Sequence, residues 1–99
     1  MHASVIEYTL KPGVRDEANA LTEELIEELS SRVQGLRAFF NMDRGGDKGM
    51  AIAIYENEAD WAAAAPVAEE VLGKLGPYMA AMPERAGCDI TFLKRFVTD

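Results

Sequence analysis

The chain has 99 residues, of which 48% are apolar and 27% are charged, a composition typical of one folded globular domain over residues 1–99. Its formal net charge of -7 argues against nucleic acids and anionic membranes as partners, because both would repel an acidic protein. Apolar runs fall well short of the roughly 20 residues that span a bilayer, and the first residues lack the features of a signal peptide, so we expect a cytoplasmic protein.

The first part of the chain predicts a strand, a helix and a second strand. Residues 3–10 alternate in polarity and are rich in β-branched and aromatic types, which indicates a strand. After a Pro-Gly break, apolar residues recur at helical spacing, which predicts a helix over residues 14–34. Residues 36–43 alternate again and indicate a second strand, one side of which is formed by Leu36, Ala38, Phe40 and Met42.

The second part of the chain predicts a hairpin, a broken helix and a last strand. A glycine-rich turn leads into a strand over residues 49–56. Asn57 can cap a helix over residues 58–75, which Pro66 should kink or interrupt because proline lacks a backbone N–H. Residues 88–97 form the last predicted strand, and the apolar residues on both of its sides predict two partly buried faces.

The order β-α-β-β-α-β predicts an α+β fold of the ferredoxin-like type, with two helices on one face of a four-stranded antiparallel sheet. The first and third strands should be central. The opposite face would expose apolar side chains such as Val5, Phe39 and Leu93, a larger patch than monomers usually tolerate. We therefore expect a homodimer in which a second copy covers that face about a two-fold axis.

Two stretches carry a resemblance to a known family. The glycine hairpin is preceded by Val33-Gln34-Gly35-Leu36-Arg37-Ala38-Phe39-Phe40, and the second helix opens with Ile54-Tyr55-Glu56-Asn57-Glu58-Ala59-Asp60-Trp61. Together they resemble the antibiotic biosynthesis monooxygenase (ABM) family of dimeric α+β barrels. The resemblance covers nearly the whole chain and implies a homodimer with facing sheets and a ligand cavity between sheet and helices in each subunit. It implies either cofactor-free oxidation of phenolic anthrones to quinones or oxidative degradation of haem.

The functional residues of that family match this sequence in part. The quinone-forming enzymes use an Asn on the third strand, an aromatic residue before the strand-end Glu, an aromatic residue in the next helix and an Arg further along. The two aromatic positions look like Tyr55 and Trp61, whereas the Asn position falls on Ala51 and Lys74 is the cation near the Arg position. The haem-degrading branch uses a helical His, and no His follows His2, so haem ligation of that kind is excluded.

The candidate site is a cavity between the sheet and the second helix, capped by the segment 79–82. A tyrosine hydroxyl there could hydrogen-bond the oxyanion of a phenolic substrate. Neither a metal nor a cofactor is expected. The candidate catalytic residues are Tyr55 and Trp61, and the candidate substrate-binding residues are Tyr8, Phe40 and Met79.

Several polar or reactive residues have structural interpretations. Trp61 can serve core packing rather than chemistry. Asn41 and Arg37 predict a polar seam at the dimer interface, since buried charges are usually paired. His2 lies near a chain end that should fray, and Cys88 is expected to be a small buried residue.

The sequence leaves two functions open. The first is a cofactor-independent monooxygenase that acts on a small aromatic or phenolic metabolite, such as a polyketide or a quinol. The alternative is a non-catalytic ligand-binding or structural homodimer of the same fold, which the missing Asn, Arg and His residues favour. An open cavity with a polar group facing it would favour the enzyme, and a closed or wholly apolar one would favour the alternative.

Overall fold

The computed structural model describes residues 1–97. The elements are β1 (His2–Thr9), α1 (Arg15–Arg32), β2 (Leu36–Gly45), β3 (Lys48–Tyr55), α2 (Glu58–Ala63), α3 (Ala65–Lys74) and β4 (Ala86–Asp89), with a 3-10 turn at Gly76–Tyr78. The predicted α+β class and element order are confirmed, with the second helix divided into α2 and α3. No helix in this part of the chain is long and apolar enough to cross a membrane.

The strands form one four-stranded antiparallel sheet in the order β2-β3-β1-β4, so β1 and β3 are central, as predicted. The apolar stripe of α1 faces the core, as its spacing predicts. The main core cluster joins α1 and α3 to the chain after β1 and after the 3-10 turn. Its buried members are Leu10, Ala18, Leu25, Leu29, Val71, Leu75 and Met79.

The second helix is interrupted at Ala64, close to Pro66, as the sequence predicts. Pro66 lies in the first turn of α3. A proline is tolerated there, because backbone N–H groups of the first turn have no acceptor within the helix. The predicted cap of α2 is also present: Asn57 Oδ1 accepts a hydrogen bond from the backbone N–H of Asp60 over 2.8 Å.

A β-bulge near the start of β2 reverses the predicted sides of that strand. The pairing with β3 shifts by one residue between Leu36 and Ala38, so Arg37 is an extra residue in the ladder. Because side chains alternate with a period of two, one extra residue turns every later side chain to the other face. Phe39 therefore faces the helices, and Phe40 lies on the helix-free face with 45% of its surface exposed. Phe40 is thus not in the cavity wall, and Phe39 is not on the helix-free face.

The last strand is much shorter than predicted. β4 ends at Asp89, which pairs with His2, the first residue of β1. Because the two strands are antiparallel, the residues after Asp89 lie beyond the first residue of β1 and have no strand residue opposite them. Ile90 makes one further hydrogen bond, from its N–H to the Met1 carbonyl oxygen over 3.0 Å. Phe92 is 82% exposed, so the prediction of a strand with two partly buried faces over residues 88–97 is wrong.

Cys88 lies on this edge strand and is exposed, so the expectation of a buried thiol is wrong. It pairs with Ala3 of β1. Ser4 faces the helices, so Ala3 and its partner Cys88 lie on the helix-free face, where no helix covers the thiol.

Candidate functional site

A cavity of about 80 Å³ lies between the sheet and helices α1 and α3. Small side chains line it at Ala18, Ala51, Ala53 and Ala68, where larger residues would fill the space. Most of the remaining wall is apolar. The predicted cavity is therefore present, but the helix above it is α3, the C-terminal half of the predicted second helix, rather than α2.

One end of the cavity carries a hydroxyl and an amide in contact. The Tyr8 hydroxyl donates to Asn41 Oδ1 over 2.6 Å, and Asn41 Nδ2 lies 3.5 Å from Asn19 Oδ1 on α1. The Tyr8 ring lies against Gly49 of β3, where an added Cβ would be 2.3 Å from the ring. Tyr8 lines the cavity at the place expected from the sequence. Asn41 lines it too, so it does not belong to a polar seam on the helix-free face.

The opposite end of the cavity carries Ser4, Tyr55 and Arg85. Tyr55 is 1% exposed, and the guanidinium carbon of Arg85 lies 5.7 Å from its ring centre. Arg85 forms no ion pair within residues 1–97, and its Nε is buried without a hydrogen-bond partner. A half-buried cation without a carboxylate is a natural site for an anionic group of a ligand.

The sequence interpretation missed Arg85. It lies in the irregular segment before β4, where no helical or strand periodicity indicates which way a side chain points. Lys74, the cation nearest the expected Arg position, instead donates to Glu28 on the helix surface over 3.0 Å.

Trp61 lies outside the cavity wall and holds Arg85 from the other side. The Arg85 guanidinium carbon is 4.6 Å from the indole ring centre, and its Nη2 donates to the Trp61 carbonyl oxygen over 2.7 Å. The indole also packs on Gly87, where an added Cβ would be 2.4 Å from Cζ2. This geometry favours the packing interpretation of Trp61, with a positioning effect on Arg85.

His2 belongs to the same cluster, so the expectation of a frayed end is wrong. Its ring centre is 4.8 Å from that of Trp61, and it is 6% exposed. Its Nδ1 lies 2.8 Å from Asp89 Oδ1. A carboxylate oxygen of Glu58 lies close to this pair. The three potential ligand atoms of His2, Glu58 and Asp89 are within 4.8 Å of one another, a spacing that can hold a metal ion. The contact with Asp89 already gives Nδ1 a partner.

The expected cap of the cavity is reduced to one residue. Met79 is 7% exposed, lines the cavity and forms an isolated bridge with Leu10. Met82 is 53% exposed and lies outside the wall. Arg37, expected in the polar seam with Asn41, is exposed and pairs with Glu56.

No protein-family model matches this chain, and no curated protein matches its sequence. Solved structures do match its fold. A protein of unknown function from Nitrosomonas europaea is similar with a TM-score of 0.75 and 15% identity, over 98% of this chain and 95% of that one.

Two further solved structures are named as candidate antibiotic biosynthesis monooxygenases. The one from Caulobacter crescentus CB15 has a TM-score of 0.74 and 13% identity, over 92% of this chain and 90% of that one. The one from Nitrosomonas europaea has a TM-score of 0.73 and 14% identity, over 93% of this chain and 100% of that one. At such identities the likeness shows the fold alone. The chain therefore has the fold of these ABM structures, which confirms the resemblance at that level.

Proposed function

We propose that this protein is a cofactor-independent monooxygenase that oxidises a small aromatic or phenolic metabolite. The observation that carries the proposal is the polarity of the cavity, whose apolar walls end in the Tyr8 and Asn41 pair on one side and in Arg85 beside Tyr55 on the other. A flat ring suits the apolar walls, and phenolic oxygens suit donors at the ends. The shared fold supports the same function by analogy.

In the proposed reaction the substrate supplies the electrons. A phenol loses its O–H proton, and the resulting phenolate, whose negative charge is shared with the ring carbons, reacts at a ring C–H carbon with O₂ to give a hydroperoxide. Loss of water from the hydroperoxide leaves a carbonyl, so the phenol and O₂ become a quinone and H₂O without an external reductant. The protein has to bind the ring and stabilise the anion.

We propose that Arg85 stabilises the anion of the substrate. Its guanidinium is always charged and lies at the inner end of an apolar cavity, where a charge interacts more strongly than in water. The hydroxyl of Tyr55 is the second proposed donor at this end. Trp61 contributes by holding the guanidinium through its carbonyl oxygen rather than by touching the substrate.

The family resemblance implies an Asn at the position of Ala51, and Asn41 supplies an amide next to that position. It pairs directly with Ala51 in the ladder between β2 and β3, so the two Cβ atoms are about 5 Å apart on the same face. The Tyr8 hydroxyl occupies Asn41 Oδ1, and one amide N–H is directed at Asn19 Oδ1 over 3.5 Å, so the other amide N–H is left to donate. The proposed substrate oxygen at this end is its acceptor.

The size of the cavity bears on the substrate class. Its volume of about 80 Å³ is below the roughly 150 Å³ that accommodates benzene in an apolar core. A ligand must therefore displace a flexible side chain such as Met79 or extend beyond the cavity. This favours a single-ring phenol or hydroquinone over a tricyclic anthrone.

We further propose that the working unit is a homodimer closed through the helix-free face. Phe40 and Met42 on that face are 45% and 41% exposed. Leu93, in the segment after β4, is 52% exposed. A second copy would remove this apolar surface from water.

A non-catalytic ligand-binding homodimer is the second candidate function. The observation that favours it is the composition of the cavity wall, which contains no His, Asp or Glu from residues 1–97 that could act as a general base. Such a protein would use Arg85 to bind an anionic aromatic ligand without turnover.

Oxygen consumption by the purified, metal-free protein tests the proposal with a panel of phenols, hydroquinones and anthrones. We expect Tyr55→Phe and Arg85→Gln to lower turnover about 10²- to 10³-fold, the usual effect of losing one oxyanion donor. Arg37→Gln removes an exposed arginine that is not in the cavity wall and serves as the control with unchanged turnover. Urea denaturation of each variant separates a lost donor from lost stability.

Two results would count against the enzyme. Equal turnover in Arg85→Gln and Arg37→Gln would remove the role assigned to Arg85. Binding of phenols without oxygen consumption above background, across the whole panel, would favour the non-catalytic homodimer.

A further inference from the structure

An open groove lies on the surface between α1 and β2, directly outside the cavity. Its volume is about 570 Å³. Because the same side chains bound both spaces, the groove lies next to the cavity. The residues common to the two walls are Asn19, Thr22, Ile26, Phe39 and Asn41.

The barrier between groove and cavity is weak where α1 meets β2. The polar contact that spans it joins Asn41 Nδ2 and Asn19 Oδ1 at 3.5 Å, which is long for a hydrogen bond, and both residues are exposed. The Thr22 hydroxyl donates to the carbonyl of Ala18 in its own helix over 2.8 Å and so does not bridge to β2. Water can replace this long contact, so breaking it costs little.

The charges along this path change sign. Asp16, Glu23 and Glu27 line the groove, and no Lys or Arg of the described chain joins them in its wall. The cavity beyond contains Arg85 at its inner end. The electrostatic potential therefore runs from negative at the rim to positive inside.

We propose that this groove is the entrance for ligands, and that its acidic rim selects against ligands with an anionic group at the trailing end. A phenol enters with its acidic hydroxyl directed toward Arg85, while its other end stays beside Glu23 and Glu27. The inference rests on the proposed function for the choice of phenols. It narrows the substrate class to phenols that are neutral or cationic at the end opposite the hydroxyl.

Three para-substituted phenols test this selection on the full chain. Para-ethylphenol, tyramine and para-hydroxyphenylpropionate are neutral, cationic and anionic at the trailing end. Isothermal titration should show the propionate binding about ten-fold or more weakly than para-ethylphenol, and tyramine at least as tightly. The difference should shrink with added salt, because exposed charges are screened.

Variants of α1 locate the origin of the selection. The double variant Glu23→Gln with Glu27→Gln should raise the affinity for the propionate, relative to para-ethylphenol, about five-fold. Glu17→Gln with Glu24→Gln removes the same charge from the same helix outside the groove and should leave the ratio unchanged. Equal ratios in the two double variants would overturn the proposed selection.

Association kinetics test the entrance itself. Ala20→Phe narrows the groove and should slow the association of para-ethylphenol about five-fold or more in stopped-flow fluorescence of Trp61, since a constricted path lowers the on-rate. Ser30→Phe adds the same bulk to an exposed position of α1 outside the groove and should not change the rate. An unchanged rate in Ala20→Phe would contradict this entrance.

The outcomes distinguish the two proposals. Binding of all three phenols without charge discrimination overturns the selection at the entrance and leaves the proposed function standing. Absence of binding by every phenol overturns both.

Discussion

At the scale of single residues, two glycines make room for the aromatic rings of the candidate site. Gly49 pairs with Tyr8 in the ladder between β1 and β3, and the Tyr8 ring occupies the space above it. Gly87 does the same for Trp61. The close approach leaves no space for a Cβ atom, so these positions control where each ring lies.

Gly49→Ala should displace the Tyr8 ring. The added Cβ would lie 2.3 Å from the ring, so the side chain must move and its hydrogen bond to Asn41 should break. We expect a loss of about 1 to 3 kcal/mol in the free energy of unfolding, as for other overpacked sites, and weaker binding of para-ethylphenol. Urea denaturation and titration calorimetry measure the two effects.

Gly73→Ala is the matched control, because nothing lies within 4 Å of an added Cβ at that helical position. It should stabilise the fold by about 0.5 to 1 kcal/mol, the usual gain of alanine over glycine in a helix. A Gly49→Ala protein as stable as the wild type, with unchanged binding, would contradict the steric account.

At the scale of elements, α2 depends on its cap. Asn57→Ala removes the acceptor for the Asp60 N–H and should lower the free energy of unfolding by about 0.5 to 2 kcal/mol. Because α2 carries Trp61, which holds Arg85, the variant should also lower the affinity for phenols. Asn57→Asp keeps an acceptor and should retain both properties. Equal behaviour of the two variants would show that the cap is dispensable.

Helices α1 and α3 are joined by an ion-pair network on their outer surfaces. Arg32 pairs with Glu28 and Glu70, and Lys74 donates to Glu28 over 3.0 Å. The hydrogen bond from Arg32 lowers the pKa of the Glu70 carboxyl below its ordinary value of 4.5. A carboxyl with a lower pKa in the folded state stabilises the fold above its unfolded pKa, and this contribution is lost as pH falls through the folded pKa.

We therefore expect a pH-dependent difference between the wild type and Glu70→Gln. The wild type should be slightly more stable at neutral pH, and the difference should vanish as the pH falls below 4.5. It should also shrink with salt, since the pair is exposed. Urea denaturation across acidic pH measures it. A difference that grows on acidification would contradict the sign.

At the scale of the whole molecule, the helix-free face and the segment after β4 present the largest exposed apolar side chains. Phe92 and Phe96 are 82% and 86% exposed, beyond Phe40 on the sheet. Exposed apolar side chains grouped in this way mark a surface for association. A two-fold partner is the simplest cover for it, because self-association supplies an equally apolar surface.

The predicted dimer should have twice the monomer mass of 10.9 kDa in light scattering at micromolar concentration. Its interface should exceed about 2,000 Å² in total, as in obligate dimers. Phe40→Asp should give a monomer, because it would bury an unpaired charge. Ser30→Asp, exposed on α1, is the control and should remain dimeric. A monodisperse wild-type monomer would contradict the proposed dimeric α+β barrel.

Features with local causes could be read from the sequence. The helix of residues 15–32 follows from apolar spacing, the break near Pro66 from a missing N–H, and the start of α2 from the Asn57 side chain. The element order then restricts the topology to a few arrangements, which is why the central strands were also predictable. Each of these causes acts over a few residues or through the order of elements.

The residues of the cavity wall could be identified only from the folded structure. The bulge at Arg37 adds one residue to the ladder, which alternation in a single strand cannot reveal, and so Phe39 and Asn41 replace Phe40 at the cavity. β4 ends at Asp89, opposite His2, the first residue of β1, so its length depends on the partner strand. Arg85 reaches the cavity because its irregular segment folds back against Trp61, far away in the chain. Such contacts depend on pairing and register between distant segments, and sequence periodicity describes each segment alone.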